Sequence, residues 1–160
     1  MKNDISAIGN ALVDTVFKVE HSLIEELGLE IDQMTLSSAE EHVPIIERLI
    51  ASGADTVSDC GGSATNSLVA AASFGAKCFH TCKVSDDQDG VRYLESLKEA
   101  GVGHKGNMAP ANSIPTGKCL ILVTPDAKRT MTTALNVSSL MNESDLDLDQ
   151  IANSKIFYIE

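Results

Sequence analysis

The sequence contains no tryptophan, and aromatic residues of all kinds make up only 4% of it. Basic residues are also scarce: 12 Lys and Arg stand against 23 Asp and Glu, for a formal net charge of -11. A negative field repels phosphate backbones, and unpaired bases stack on aromatic side chains, so the composition argues against nucleic acids and anionic membranes as partners. The negative net charge does not exclude a small anionic ligand, because a few oriented N–H groups and one arginine can bind it.

No run of the sequence approaches the roughly 20 apolar residues that a membrane-spanning helix requires. The first residues, MKNDISAIGNALVD, interrupt their apolar positions with Asp4 and Asn10 and offer no small-residue cleavage site, so we predict no secretory signal. The chain has 160 residues, 43% of them hydrophobic, which suffices for one domain with a buried core. We therefore expect a globular protein of the cytoplasm.

The four cysteines are Cys60, Cys78, Cys82 and Cys119. In an intracellular chain they are most simply reduced and buried. Cys78 and Cys82 form a C-x3-C pair around His80, but a zinc site needs a second ligand pair, and none with that spacing follows. We predict buried thiols and no bound metal.

Hydrophobic patterning predicts strands that alternate with helices. We expect strands at 5–9, 16–19, 34–36, 56–60, 77–84, 118–123, 129–135 and 155–160, and helices at 22–27, 38–53, 63–74, 86–101 and 145–152. Ser38 and Glu41 fit a capping box, and the acidic stretch 143–149 predicts a solvated helix start. This order indicates an α/β fold in which helices flank a parallel sheet and strand hairpins project from it.

Two glycine-containing segments are candidates for ligand binding. Gly101 to Gly106 matches G-x-G-x-x-G, but a dinucleotide fingerprint must follow a strand and open a helix. Here the glycines follow a predicted helix, at whose end Gly101 fits a C-cap, so we predict no nucleotide site there. Gly61 and Gly62 do end a predicted strand just before a helix.

The helix after this glycine pair begins at Ser63 and presents unpaired N–H groups in its first turn, where Asn66 can direct its amide at the same ligand. Glycines at such a junction let a ligand approach the main chain. A second interpretation stays open: a tight strand-to-helix turn with Ser63 as N-cap.

Three further polar residues are candidates. Asn10 and Asp14 follow the first predicted strand, four residues apart. An ionised Asp accepts paired hydrogen bonds from vicinal hydroxyls, as sugars present, while Asn both donates and accepts; turn residues are the alternative. Arg129 begins a predicted hairpin strand and either binds phosphate through its guanidinium or is simply solvated.

The order and spacing of these segments resemble the N-terminal half of the ribokinase/PfkB family of kinases. The similarity runs from Ile5 to the end of the chain. It rests on I-G-N-A-L-V-D at 8–14, G-G-S-A-T-N at 61–66, F-G-A-K...K-V-S-D-D-Q-D-G at 74–90 and P-T-G-K-C-L-I-L-V-T-P-D-A-K-R-T at 115–130. The first two blocks are more similar to the adenosine-kinase-like branch than to the branches that act on ribose or fructose.

The resemblance implies a ribokinase-like three-layer α/β/α fold with a projecting β lid. Residues 1–160 would form the N-terminal portion of a single kinase domain, with the lid strands within 15–37 and 118–136. It also implies ATP-dependent phosphorylation, with Mg²⁺, of the 5′-hydroxyl of a nucleoside ribose or of a sugar hydroxyl. In such a kinase Arg129 would approach the phosphates. The remaining candidates would form the substrate pocket, with Asp14 on the ribose hydroxyls: Asn10, Asp14, Gly61, Gly62, Ser63 and Asn66.

The sequence departs from the family pattern at two places. Ser85 stands where the family has a glycine in the block Ser85-Asp86-Asp87, and the G-A-G-D block is absent. By the resemblance, that block supplies the catalytic Asp and an anion-binding helix N-terminus. We therefore expect a truncated chain with no catalytic residue of its own. The alternative expectation is a non-catalytic remnant that binds a sugar or nucleoside, or that self-associates through the lid or an open sheet edge.

Overall fold

The structure, a computed structural model, describes residues 2–110 and 114–160. The strands in this part of the chain are β1 (Asn3–Ile8), β2 (Leu12–Lys18), β3 (Met34–Leu36), β4 (Thr56–Gly61), β5 (Cys78–Ser85), β6 (Gly103–Ala109), β7 (Gly117–Val123), β8 (Arg129–Ala134) and β9 (Ser154–Ile159). The α-helices are α1 (His21–Glu26), α2 (Ala39–Ala51), α3 (Ser63–Ser73), α4 (Gln88–Glu99) and α5 (Leu148–Ala152). Two 3-10 helices cover Asn136–Leu140 and Glu143–Asp145. None of the described helices is long and apolar enough to cross a membrane.

Four strands form a parallel sheet in the order β6-β5-β1-β9. Helices α3 and α4 pack on one face of this sheet and bury a shared apolar core with β1 and β5. The two 3-10 helices pack against β5 as well. This arrangement confirms the predicted α/β class with a parallel, helix-flanked sheet, and it matches a ribokinase-like fold.

The other five strands form a second, mixed sheet in the order β3-β8-β7-β2-β4, which we call the small sheet. β7 and β8 form the predicted antiparallel hairpin, and β2 pairs with β7 in parallel and with β4 in antiparallel register. Helices α1 and α2 cover one face through a second apolar cluster that includes Phe17, Leu49 and Leu120. On the opposite face, Met34, Leu36 and Val57 are exposed.

Two strands differ from the sequence-based expectation. β2 begins at Leu12 rather than Val16, so Asp14 lies inside a strand and not in a turn. Its pairing with strands on both sides outweighs the low strand propensity of aspartate. β6 was not predicted, because Gly103 and Gly106 weaken the pattern; a Cβ on Gly106 would lie 2.3 Å from Leu94 Cδ2, so α4 packs directly on its backbone.

The acidic stretch after β8 is only in part the solvated helix start that its charge predicts. Asp147 caps α5 and Asp149 is exposed in its first turn, whereas Asp145 is buried. Asp145 pairs with Lys83 at 2.8 Å and accepts the backbone N–H of Asn142. Burial of an acidic side chain is possible here because a lysine of the parallel sheet neutralises it.

The four cysteines are free thiols. Cys78, Cys82 and Cys119 are buried as predicted, and Cys60 is half-buried. Burial raises the pKa of Cys82 to about 12, so this thiol stays protonated at neutral pH.

Candidate functional site

The predicted site residues meet where the parallel sheet joins the small sheet. β1 ends at Ile8, and Gly9 and Asn10 lead from its carboxyl end into β2. The carboxyl ends of parallel strands are where open α/β sheets bind ligands. β4 returns to the same place and ends at Gly61, just before α3. The fold thus brings the segments 9–14 and 61–66, distant in sequence, into contact.

Gly61 lies directly beneath the carboxylate of Asp14. A Cβ built on Gly61 would stand 2.2 Å from Asp14 Cγ and 2.3 Å from each carboxylate oxygen. Any side chain at position 61 would therefore displace this carboxylate. The glycine explains how Asp14 can lie flat along the surface of β4.

Gly62 is the N-cap of α3 and has φ 96°. This left-handed region favours glycine, and a Cβ would also stand 2.3 Å from the carbonyl oxygen of Asn10. The alternative interpretation with Ser63 as N-cap is therefore wrong: Ser63 is the first helical residue, and the N-cap Gly62 offers no side-chain cap. In the first turn of α3, the Asn66 N–H donates to the Gly62 carbonyl oxygen at 2.9 Å, while the first N–H groups of a helix have no partner within the helix itself.

Ser63 and Asn66 are exposed on the first turn of α3. Beside them lies Glu160, whose backbone N–H donates to the Ile8 carbonyl oxygen at 3.1 Å. A hydrogen bond from Ser63 to the Glu160 carboxylate lowers the pKa of Glu160, with a further contribution from Tyr158. Glu160 was not singled out in the sequence, because only the strand pairing of β1 with β9 brings it to α3.

The carboxyl group of Asp14 is partly buried on the small sheet. Burial is the largest influence and raises its pKa; Asp59 raises the pKa further, whereas Arg129 lowers it. Asp59 lies directly opposite Asp14 in the β2–β4 register, a neighbour that only the antiparallel pairing reveals. The Asp14 carboxylate is thus only partly solvated, and hydrogen bonds from the hydroxyl groups of a ligand would stabilise its ionised form.

Arg129 is exposed at the start of β8. Asp14 pairs with Cys119, which pairs with Thr133, and Arg129 is four residues before Thr133 on the same strand face. The side chain therefore extends from the same face of the small sheet as Asp14 does, and its positive charge acts on that carboxylate. This is the one cationic candidate among the residues predicted for the site.

Within residues 2–110 and 114–160, no three His, Cys, Asp or Glu side chains converge into a metal site. The arrangement can accept hydroxyl hydrogens at Asp14, admit a ligand against the main chain at Gly61 and Gly62, and offer N–H groups of α3.

The profile of the pfkB family carbohydrate kinases matches residues 27–160, so the chain belongs to this family. The adenosine kinase from Sinorhizobium meliloti superposes with a TM-score of 0.90 at 31% identity, over 99% of this chain and 47% of that chain. A probable sugar kinase from Rhizobium etli CFN 42 gives a TM-score of 0.88 at 26% identity, over 99% and 47%. The adenosine kinase of Anopheles gambiae shares the fold, with a TM-score of 0.82 at 24% identity, over 99% and 50%.

These findings confirm the family resemblance seen in the sequence. The comparison with curated proteins gave no match. The chain spans about half the length of the solved structures it matches.

Proposed function

We propose that residues 1–160 supply the substrate-binding part of an ATP-dependent kinase that phosphorylates a hydroxyl of a nucleoside such as adenosine, or of a sugar. One observation carries the proposal: the Asp14 carboxylate lies against the backbone of Gly61, which has no side chain, next to the first turn of α3, whose N-cap is Gly62. Family membership supports the reaction class, and the similarity to an adenosine kinase and to a probable sugar kinase supports a nucleoside or sugar as substrate.

In this proposal Asp14 accepts hydrogen bonds from two vicinal ribose hydroxyls. Gly61 and Gly62 admit the sugar to the main chain, while Asn10, Ser63 and Asn66 complete the pocket. The small sheet acts as the lid; besides the lid strands expected within 15–37 and 118–136, it includes β4 (Thr56–Gly61) and the start of β2 at Leu12. Arg129 extends from the lid toward the transferred phosphate, where a guanidinium can bind in bidentate fashion.

ATP supplies the phosphoryl group, and Mg²⁺ is the ion this chemistry uses. We assign no residue of this chain as catalytic base or as Mg²⁺ ligand. Phosphoryl transfer depends on positioning and charge stabilisation, and the residues named here contribute the positioning of the acceptor.

A second candidate is a non-catalytic protein that binds a sugar or nucleoside, or that associates with other chains. The observation that favours it is the exposure of apolar residues on the edge strand β9: Ile156 is 58%, Phe157 41% and Ile159 65% exposed. The outer edge of such a strand can pair with another strand.

A binding panel tests the proposal. Isothermal titration calorimetry with adenosine, a second nucleoside, ribose and fructose should give saturable binding of at least one, and a coupled assay of ADP release should be run with each. We expect binding without ADP release from residues 1–160. ADP release by a monodisperse sample would place catalytic groups within this chain, and no binding of any ligand would contradict the proposal.

A further inference from the structure

Behind the segment 61–66, a hydrogen-bonded network of buried polar side chains connects four elements. Thr65 Oγ1 lies 3.2 Å from His80 Nε2 and is hydrogen-bonded to the Tyr93 hydroxyl, and His80 Nδ1 lies 3.4 Å from the Ala7 carbonyl oxygen. Thr65 and His80 are fully buried, and Tyr93 is 1% exposed. This hydrogen-bond network therefore joins β1, α3, β5 and α4 inside the apolar core.

The Ala7 carbonyl oxygen determines which group donates and which accepts in each hydrogen bond of this network. A carbonyl only accepts, so Nδ1 of His80 carries the proton and donates. Burial lowers the pKa of His80 to about 4, so at neutral pH its ring is uncharged and Nε2 accepts. The Thr65 hydroxyl then donates to Nε2 and accepts from the Tyr93 hydroxyl. One arrangement of protons thus satisfies all three side chains.

The stability of the core gives no reason for such a network. Replacing hydrogen-bonded buried groups by apolar groups of the same shape is often neutral or stabilising. A fully satisfied network does, however, define a single geometry. The Thr65–His80–Tyr93 network defines the position of the two site segments. Thr65 belongs to the segment 61–66, and Ala7 lies two residues before Gly9, where the segment 9–14 begins.

The packing between the two site segments depends on the same geometry. A Cβ on Gly9 would stand 2.5 Å from Ala64 Cβ, so the backbone of the first segment lies directly against the first turn of α3. At Gly62 the backbone lies against the carbonyl oxygen of Asn10. A small rotation of α3 would open or close both contacts, and with them the space above Gly61.

We propose that Thr65, His80 and Tyr93 are positioning residues, which hold the segments 9–14 and 61–66 at the spacing that a ribose-bearing substrate requires, without contacting that substrate. The proposal rests on the proposed function for the identity of the ligand. The claim that the network holds the first turn of α3 in place can be tested without any ligand, by amide hydrogen exchange.

Three variants of the 160-residue chain test it. Thr65→Val removes the hydroxyl at nearly constant shape, and Thr65→Ser keeps it. Thr81→Val is the matched control: Thr81 is also fully buried, and its Oγ1 has no hydrogen-bond partner among the described residues. For each we would measure the adenosine Kd by calorimetry, amide hydrogen exchange of residues 61–68 by mass spectrometry, and the melting temperature.

Thr65→Val removes the hydrogen bonds to His80 and to Tyr93. We expect it to weaken adenosine binding about 10-fold and to speed exchange in residues 61–68 more than elsewhere. Thr65→Ser and Thr81→Val should stay within about twofold of the wild type in both measurements. If Thr65→Val does not fold, Tyr93→Phe replaces it as the test variant. This substitution removes the Tyr93 hydroxyl and leaves the hydrogen bond between Thr65 and His80 in place.

Wild-type binding and exchange in Thr65→Val would overturn the proposal. So would a Thr65→Ser variant as defective as Thr65→Val, because packing rather than the hydroxyl would then be responsible. If the wild type binds another ligand of the panel but not adenosine, the Kd of that ligand is compared among the variants. If it binds none of them, the proposed function fails, and the exchange of residues 61–68 still decides whether the network holds α3.

Discussion

Asp14 combines a cost in stability with a role in binding. Because burial raises its folded pKa, the ionised form is disfavoured in the folded chain. The cost is absent below the unfolded pKa, near 4, and is complete once the pH has risen above the folded pKa. Such a cost is typical of a group retained for function.

Asp14→Asn should therefore raise the melting temperature at pH 7 and have no stabilising effect near pH 3. It should also weaken binding of a ribose-bearing ligand by about 1.5–3 kcal/mol for each charge-assisted hydrogen bond lost. Thermal unfolding across this pH range, with calorimetry at pH 7, checks both. A variant that is less stable than the wild type at pH 7 would contradict the assigned electrostatics.

Gly62 is required by both its φ and its contact with Asn10. Gly62→Ala should abolish ligand binding, because the new Cβ meets a backbone oxygen and the first turn of α3 must move. Gly53→Ala is the control: Gly53 has φ 71° but open space around it, so it carries only the conformational strain. Calorimetry on both variants should separate them. Equal loss of binding in the two would assign the effect to general destabilisation.

At the residue scale, the sequence was sufficient to find the segments 9–14 and 61–66 but not their neighbours. A carboxylate and a glycine pair are recognisable by type and spacing. Asp59 and Glu160 are not, since each reaches the site only through a strand pairing that joins distant residues. The Thr65–His80–Tyr93 network was missed for the same reason.

At the scale of elements, local signals located most helices and strands. The capping box of Ser38 and Glu41 starts α2, and Asp87 caps α4 by accepting the Gly90 N–H at 2.7 Å. β6 and the start of β2 could not be predicted, because pairing with neighbouring strands and packing against α4, not propensity, determine them.

The segment between β8 and α5 is attached to the parallel sheet by the Lys83–Asp145 pair. Burial raises the pKa of Asp145, but hydrogen bonds from Lys83 and from the Asn142 N–H outweigh it and lower the pKa overall. A lowered folded pKa contributes stability above about pH 4, which is lost as the pH falls through the folded value.

Asp145→Asn should accordingly cost about 3 kcal/mol at pH 7, near the low end for breaking a buried ion pair, and less as the pH falls below about 4. Urea unfolding at several pH values measures this. Glu26→Gln, which breaks the exposed pair with Arg48, should cost clearly less. Equal losses in the two variants would show that burial adds nothing to the Lys83 pair.

At the scale of the whole molecule, β9 is an edge strand with exposed apolar side chains. We expect residues 1–160 to associate in solution through this strand, and light scattering should show species larger than the monomer. Ile156→Lys together with Ile159→Lys should reduce their amount. Phe74→Lys is the control, because Phe74 is 91% exposed but lies at the end of α3. A monomeric wild type would contradict this prediction.

The central claim is that Asp14 binds the vicinal hydroxyls of a ribose at the junction of the two sheets. The most direct measurement compares the Kd values of adenosine and 2′,3′-dideoxyadenosine for the wild type and for Asp14→Asn. We predict that the wild type prefers adenosine by about 10-fold or more and that Asp14→Asn loses most of this preference. Equal binding of both ligands by the wild type, or an undiminished preference in the variant, would contradict the claim.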